Sequence, residues 1–137
     1  MFDLITLNLV NSTRNIILNR SHLGEYVYSP IYRGYEGKWI FDLEESFLNS
    51  CYEHFKKIKL FVLYDSNNLQ LNAREDGKSL SKSDNQKMSF ERERFIKAYE
   101  KSKIPCKRIF DISNYPLNKG DKPRQITNLI IKLMLDL

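Results

Sequence analysis

Hydrophobic runs at three places along the chain have the length and composition of β-strands. The residues from Ile58 to Tyr64 contain the continuous apolar run Leu60 to Leu63, as in a parallel strand that is covered on both faces. A second strand is predicted from Arg108 to Ile112. The run from Ile16 to Leu18 is rich in β-branched residues and too short for a helix. We therefore predict three strands and expect Ile16 to Leu18 to be buried.

Between these strands, apolar residues recur at helical spacing. One helix is predicted from Lys38 to Phe55, with the acidic residues Asp42, Glu44 and Glu45 facing outward. A second helix is predicted from Met88 to Ser102, where apolar and charged residues occupy opposite faces. Both segments are expected to pack one face against the sheet.

The remaining segments give less uniform patterns. Phe2 to Val10 fits both helical spacing and strand alternation in part, so periodicity alone leaves its structure open. Ser21 is positioned to cap a helix that runs toward Ser29, where Pro30 should break or kink it. A last helix opens at Asp121. Its apolar positions are Ile126, Leu129, Ile130, Leu133, Met134 and Leu137.

Strands that alternate with helices predict an α/β fold with a parallel sheet and right-handed crossovers. Residues 1–137 are expected to form a single domain. The polar segment from about 65 to 87 is rich in Asn, Ser, Lys and Asp and can bury little surface. Two interpretations of it stay open, a disordered surface loop and a lid that closes over phosphate groups.

Composition narrows the classes of partner. The chain has 22 Lys and Arg against 17 Asp and Glu, a net charge of +5, which favours anionic partners such as nucleotides or nucleic acid. Its basic residues are scattered, and this makes nucleic acid the less favoured of the two. No apolar run approaches the roughly 18 residues that span a bilayer, so we expect a soluble cytoplasmic protein without a membrane partner. Cys51 and Cys106 are expected to be buried free thiols, and no set of zinc ligands is present.

Polar and aromatic residues cluster directly after the Ile16 to Leu18 run. They are Asn19, Arg20, Ser21, Glu25, Tyr28, Tyr32 and Arg33. This order resembles the middle of the thymidylate kinase-like deoxynucleoside monophosphate kinases, particularly small phage-type members. The likeness covers most of the chain as order and spacing, and it includes a lid-like segment from Ala73 to Lys78.

The resemblance implies a truncated three-layer P-loop kinase-like fold, with a short, mostly parallel sheet flanked by helices. It implies phosphoryl transfer to a deoxynucleoside monophosphate, with ATP and Mg²⁺ as cofactors if the protein is active. The implied catalytic residues are Arg20, Arg74 and Lys78, and the implied substrate-binding residues are Arg20, Glu25, Tyr28 and Arg33. For Arg20 and Arg33, membership of ordinary surface ion pairs stays open as an alternative.

Two departures from the resembled family weigh against independent catalysis. The family's Asp is replaced by Asn19, and an amide cannot organise Mg²⁺ as a carboxylate does. The chain also contains no GxxxxGK[ST] phosphate loop, and the opening βαβα portion of the kinase fold is missing. That omission should leave sheet edges open for a second copy or another chain to cover. The alternative function is therefore a non-catalytic, phage-type regulatory or partner-binding protein with a degenerate kinase fold, and a third is a basic nucleic-acid-binding module.

Overall fold

The computed structural model describes residues 16–19, 21–67, 84–113 and 122–135. Over these residues the chain forms a mixed α/β structure with helices and a short parallel sheet. Its elements in chain order are α1 (Leu23–Tyr32), α2 (Trp39–Ser50), α3 (Tyr52–Phe55), β1 (Lys59–Tyr64), α4 (Asn85–Lys101), β2 (Cys106–Asp111) and α5 (Lys122–Leu135).

The sheet consists of β1 and β2, which run parallel from the pair Lys59 and Cys106 to the pair Tyr64 and Asp111. Helix α4 connects them, as expected for parallel neighbours, because such strands need a long crossover. This confirms the prediction of an α/β structure with parallel strands. Coverage of β1 is less complete than predicted, since Val62 is buried but Leu63 is exposed.

The prediction of a buried strand from Ile16 to Leu18 is wrong. These three residues lie in an irregular segment, and their exposed fractions are between 48% and 85%. A strand needs a neighbour to satisfy its backbone N–H and C=O groups, and the two strands of the described sheet pair with each other. No described strand pairs with this short apolar run, so its composition alone does not make it extended and buried.

Helix α1 continues through Pro30 as far as Tyr32, whereas the sequence predicted a break or kink at the proline. Proline has no amide hydrogen, so it cannot bond to the carbonyl oxygen four residues earlier, that of Tyr26. Arg94 of α4 replaces the missing donor. Its Nε and Nη2 atoms donate to the Tyr26 oxygen at 2.9 and 2.5 Å.

The core lies where α1, α2 and α4 meet above β1. Its buried apolar residues are Leu23, Tyr26, Val27, Ile40 and Ala98, with Tyr28, Phe41, Leu60 and Phe95 packed against them. The predicted helix from Lys38 to Phe55 is two helices, because the backbone leaves helical geometry at Cys51.

Glu44 was predicted to face outward, and that prediction is wrong because its side chain is only 3% exposed. His22 Nε2 lies 2.6 Å from the Oε1 atom of Glu44. The Ser102 hydroxyl donates to Oε1 at 2.9 Å, and the Lys103 N–H donates to Oε2 at 2.6 Å. The carboxylate therefore joins the start of α1, the middle of α2 and the residues after α4. Its polar partners make its burial tolerable.

The helix predicted from Met88 to Ser102 is confirmed as α4, and the last predicted helix is confirmed as α5. Cys51 and Cys106 are free thiols and are half-buried, so the burial predicted for them is incomplete. Within the described ranges, no helix combines the length and apolar character needed to cross a membrane. The Phe2 to Val10 segment and residues 68–83 of the lid-like segment lie outside the described residues.

Candidate functional site

The carboxylate of Glu25, on the first turn of α1, accepts four hydrogen bonds from three side chains. Arg33 Nη1 donates to Oε1 and Oε2 at 2.9 and 2.7 Å, and the Ser29 hydroxyl donates to Oε1 at 2.9 Å. The Tyr35 hydroxyl also donates to Oε1. The Glu25 side chain is 9% exposed, whereas that of Arg33 is 58% exposed. We call Glu25, Arg33 and Tyr35 the Glu25 cluster.

Arg33 and Tyr35 belong to a turn, residues 33–37, that is pressed against α1. Gly34 and Gly37 both have positive φ angles, 76° and 61°, which favour glycine. A Cβ atom on Gly37 would lie 2.6 Å from the carbonyl oxygen of Glu25, so the turn contacts the helix backbone directly. Arg94 Nη2 donates to the Glu36 carbonyl at 3.4 Å. These contacts fix the turn that carries the two exposed side chains.

Beneath this turn, Arg94 fills the space between α1 and α4. Its guanidinium carbon lies 4.0 Å from the ring centroid of Tyr26, a cation–π distance. The Glu36 carboxylate is 3.9 Å from Nη2. Arg94 is buried, and its role is to support the turn.

Two tyrosines of α1 face α4. The Tyr28 ring packs edge-on against Phe95, with a centroid distance of 5.8 Å. The Tyr32 hydroxyl donates to Glu91 Oε1 at 2.7 Å. Burial, and next the hydrogen bond to the Glu91 carboxylate, raise the pKa of Tyr32 well above its ordinary value. Tyr32 therefore stays protonated and acts as a donor.

A second polar group lies where β1 and β2 end. Asp111 Oδ1 accepts hydrogen bonds from the Ser66 N–H at 3.1 Å and from the Ser113 N–H at 2.9 Å. The two serine hydroxyls are 3.1 Å apart, and the buried Asp65 accepts from the Asn67 N–H at 2.9 Å. We call Asp65, Ser66, Asp111 and Ser113 the strand-end cluster.

Asp111 is held in its ionised form. Burial by itself raises the pKa of this carboxyl, but the hydrogen bonds from Ser66 and Ser113 outweigh it and lower the pKa to about 2. A carboxylate that accepts several hydrogen bonds is stabilised in its charged form. The end of β2 therefore carries a fixed negative charge at neutral pH.

Two neighbouring residues of α4 contact the end of α1 and the strand-end cluster, respectively. Glu91 binds the Tyr32 hydroxyl at the end of α1, and Arg92 Nη1 donates at 3.2 Å to each of the Asp65 and Ser66 carbonyl oxygens. The end of α1 thus lies at the same end of the molecule as the carboxyl ends of β1 and β2. In open α/β sheets, ligands bind beyond the carboxyl ends of the strands.

The structure brings together Glu25 and Arg33, two of the residues implied to bind substrate. Tyr28 lies on the same helix, with its ring at the contact between α1 and α4. Arg20, Arg74 and Lys78 lie outside the described residues.

Sequence reasoning missed Tyr35 and gave Asp65 and Asp111 no role in a site. The aspartates had a usable signal, because Asp65 directly follows one predicted strand and Asp111 is the penultimate residue of another. Tyr35 had none, because its position depends on the turn between two glycines. Within the described ranges, no group of three or more acidic, His or Cys side chains is arranged to hold a metal ion.

No family model matches the chain, and neither a curated protein nor a solved structure matches it. Function is therefore inferred from the residues and their geometry.

Proposed function

We propose that this chain is a nucleotide-binding protein related to the deoxynucleoside monophosphate kinases. The observation that carries the proposal is the exposed guanidinium of Arg33, which Glu25 holds through two hydrogen bonds from Nη1. Arginine is well suited to phosphate because its planar fork can donate two parallel hydrogen bonds. The net charge of +5 also favours an anionic ligand.

The finer fold assignment, a truncated three-layer P-loop kinase-like fold, belongs to this proposal. It is supported by the β1–α4–β2 unit, whose strands are parallel and adjacent, and by the resemblance of the residues from Asn19 to Arg33. In the proposed site Arg20 and Arg33 bind the phosphate of a deoxynucleoside monophosphate, with Tyr28 beside the nucleoside. Arg74 and Lys78 act on the transferring phosphoryl group.

We propose nucleotide binding rather than independent catalysis. Phosphoryl transfer depends almost entirely on positioning and on charge delivered to the phosphates. These 137 residues contain no GxxxxGK[ST] loop, and Asn19 replaces the family's Asp. Transfer from ATP with Mg²⁺ would therefore need a phosphate loop from outside these residues. Nucleotide binding needs only the groups described above.

Thermal unfolding in the presence of each deoxynucleoside monophosphate tests the binding proposal. A ligand at 100 times its dissociation constant adds about 2.7 kcal/mol to the free energy of unfolding, which raises Tm by several degrees. We expect such a rise with at least one of the four nucleotides and a smaller one with the matching nucleoside. Unchanged Tm values at millimolar concentrations of all four would refute the proposal.

The enzymatic part is tested separately by incubation with ATP, Mg²⁺ and each monophosphate, followed by chromatography for diphosphate. We expect no turnover by the chain alone at high protein concentration. Turnover by the purified chain would contradict the view that a phosphate loop is required.

A second candidate function is that of a non-catalytic, partner-binding protein, and the exposed apolar run from Ile16 to Leu18 favours it. An exposed apolar segment is a common feature of protein contacts. If a second copy covers this run, sedimentation should show a dimer, and Ile17→Asp should dissociate it. Ile131→Asp, at an exposed apolar position on α5, is the control. A monomer at all concentrations would exclude self-association.

A further inference from the structure

We infer that Tyr35 is a ligand-contacting residue of the proposed nucleotide site, and that Glu25 is a positioning residue rather than a substrate ligand. This inference rests on the proposed function and deepens it. The pair Arg33 and Tyr35 would hold a mononucleotide, with the guanidinium on its phosphate and the aromatic ring against its sugar or base.

The carboxylate of Glu25 has little capacity left for a ligand. An ionised carboxylate offers about four acceptor sites on two oxygens, and Glu25 already accepts four hydrogen bonds. The side chain is also 9% exposed. A phosphate that approached Glu25 directly would meet a like charge, and the sugar hydroxyl of a nucleoside would have to displace an existing donor. Direct binding of substrate by Glu25 is therefore unfavourable.

Arg33 has the opposite character. Both of its hydrogen bonds to Glu25 come from Nη1, and its side chain is 58% exposed. The Nη2 and Nε atoms donate to none of the described residues, so two donors of the fork stay available for phosphate oxygens. Because Glu25 fixes one side of the guanidinium, less rotamer entropy is lost when phosphate binds the other.

Tyr35 is held in the same way. Its hydroxyl is anchored to Glu25 while the residue is 44% exposed, so the ring is fixed at one end and is partly accessible to solvent. The turn beneath it is fixed by the close approach of Gly37 to α1 and by Arg94. A rigid, exposed aromatic ring is a stacking surface that accepts any base.

Arg33 and Tyr35, on either side of Gly34, thus present a cation and an aromatic ring from one turn. A phosphate alone would use only the cation, and an uncharged nucleoside only the ring. A mononucleotide is the ligand class that uses both. The carboxylate partner keeps the local charge near neutral in the absence of ligand, which favours mononucleotides over polyanions.

Titration calorimetry with the four deoxynucleoside monophosphates, the matching nucleosides and inorganic phosphate tests this assignment. Tyr35→Ala should weaken nucleotide binding roughly tenfold, because stacking is lost, and should leave the affinity for phosphate unchanged. Tyr35→Phe keeps the ring and should recover part of the loss. Tyr52→Ala removes another exposed tyrosine, on α3, and is the matched control.

Arg33→Met should reduce the preference for nucleotide over nucleoside. Glu25→Gln should reduce that preference about fivefold, because the amide holds the guanidinium less firmly. A purely structural role for Glu25 would lower both affinities equally and leave their ratio unchanged. Glu53→Gln, which breaks an exposed pair with Lys56 on α3, controls for loss of one surface charge.

The outcomes separate this inference from the function on which it rests. If the wild-type chain binds no deoxynucleoside monophosphate, the proposed function fails and the inference with it. If the wild type binds nucleotide and Tyr35→Ala binds equally well, the assignment of Tyr35 is overturned alone. If Glu25→Gln leaves the ratio of nucleotide to nucleoside affinity unchanged, the positioning role of Glu25 is overturned alone.

Discussion

At the scale of single residues, the hydrogen bonds to the carbonyl oxygen of Tyr26 explain how α1 accommodates Pro30. Pro30 cannot donate to that oxygen, and two donors of Arg94 take its place. The same guanidinium stacks on the Tyr26 ring and supports residues 33–37 through Glu36. One buried arginine therefore serves both the helix and the turn that carries the proposed ligand contacts.

Replacement of Arg94 should lower the free energy of unfolding, and the size of the loss should depend on the presence of Pro30. Arg94→Met leaves a buried carbonyl without a partner, which should reduce the free energy of unfolding by about 2 to 3 kcal/mol. In a Pro30→Ala background the alanine N–H can bond to Tyr26, so the same change should cost about 1 kcal/mol less. Urea unfolding of the four proteins measures this coupling.

Arg108→Met is the matched control for that experiment, since Arg108 is exposed and, within the described ranges, its side chain bonds only to the carbonyl oxygen of Lys107. It should change stability by no more than about 0.5 kcal/mol. Equal losses for Arg94→Met with and without Pro30 would contradict the exchange of donors at Tyr26.

Two glycines of the turn should respond differently to alanine. At Gly34 a Cβ atom meets nothing within 4 Å, so Gly34→Ala should cost about 1 to 2 kcal/mol from its positive φ alone. At Gly37 the Cβ atom would meet backbone atoms of Glu25 and Tyr26 at 2.6 and 3.0 Å, which cannot move aside as a side chain can.

Gly37→Ala should therefore cost about 2 kcal/mol more than Gly34→Ala, as measured by chemical denaturation. A smaller loss for Gly37→Ala than for Gly34→Ala would show that the turn does not press on α1.

Acid should weaken the strand-end cluster. The pKa of Asp111 is lowered from its ordinary value of 3.8 to about 2. The ionised group therefore favours the folded state above about pH 4, and this contribution is lost as the pH falls from about 4 toward 2. Asp111→Asn removes the titration. The difference in Tm between wild type and variant should be largest at neutral pH and should shrink near pH 2. A difference that does not change with pH would contradict this assignment.

At the scale of secondary-structure elements, Glu44 connects three segments through one carboxylate. His22 precedes α1, Ser102 and Lys103 follow α4, and all three contact Glu44 on α2. These segments are far apart in sequence, so the connection is established only when the core forms. Loss of the Glu44 contacts should therefore lower the free energy of unfolding of the whole fold more than it affects the formation of any single helix.

Glu44→Ala and Glu45→Ala compare a buried and an exposed carboxylate in adjacent positions. Glu44→Ala leaves the Ser102 hydroxyl and the Lys103 N–H without their acceptor and should cost about 2 to 4 kcal/mol. Glu45 forms an exposed pair with Lys103 at 2.9 Å, and its removal should cost no more than about 1 kcal/mol. Calorimetric unfolding distinguishes them. Similar losses for both variants would show that Glu44 is not a structural connection.

A secondary-structure element could be predicted when its own residues carried the sequence pattern that defines it. The apolar run of β1 and the helical spacing of α4 located both elements to within a few residues. The start of α4 was placed too late, because its first turn is polar and is fixed by Asp84, which accepts from the Gln86 and Lys87 N–H groups. Ile16 to Leu18 failed because a strand is defined by a neighbour, and no local pattern reports one.

At the scale of the whole molecule, the neighbouring residues Glu91 and Arg92 of α4 contact Tyr32 at the end of α1 and two carbonyl oxygens of the strand-end cluster. Sequence reasoning could place Glu25 and Arg33 together because both follow from one motif. It could not find Tyr35 or the network around Arg94. Their positions depend on the contact between α1 and α4, and the two helices are separated by more than fifty residues of sequence.

The central claim is that Arg33 and Tyr35 bind a mononucleotide. An NMR titration of the ¹⁵N-labelled chain with a deoxynucleoside monophosphate tests it most directly. We predict saturable shifts in the amide signals of Arg33, Gly34 and Tyr35. The signals of Lys59 and Cys106, at the start of the two strands, should stay unchanged. Saturable shifts confined to the start of the strands, or no shifts at millimolar nucleotide, would contradict the account.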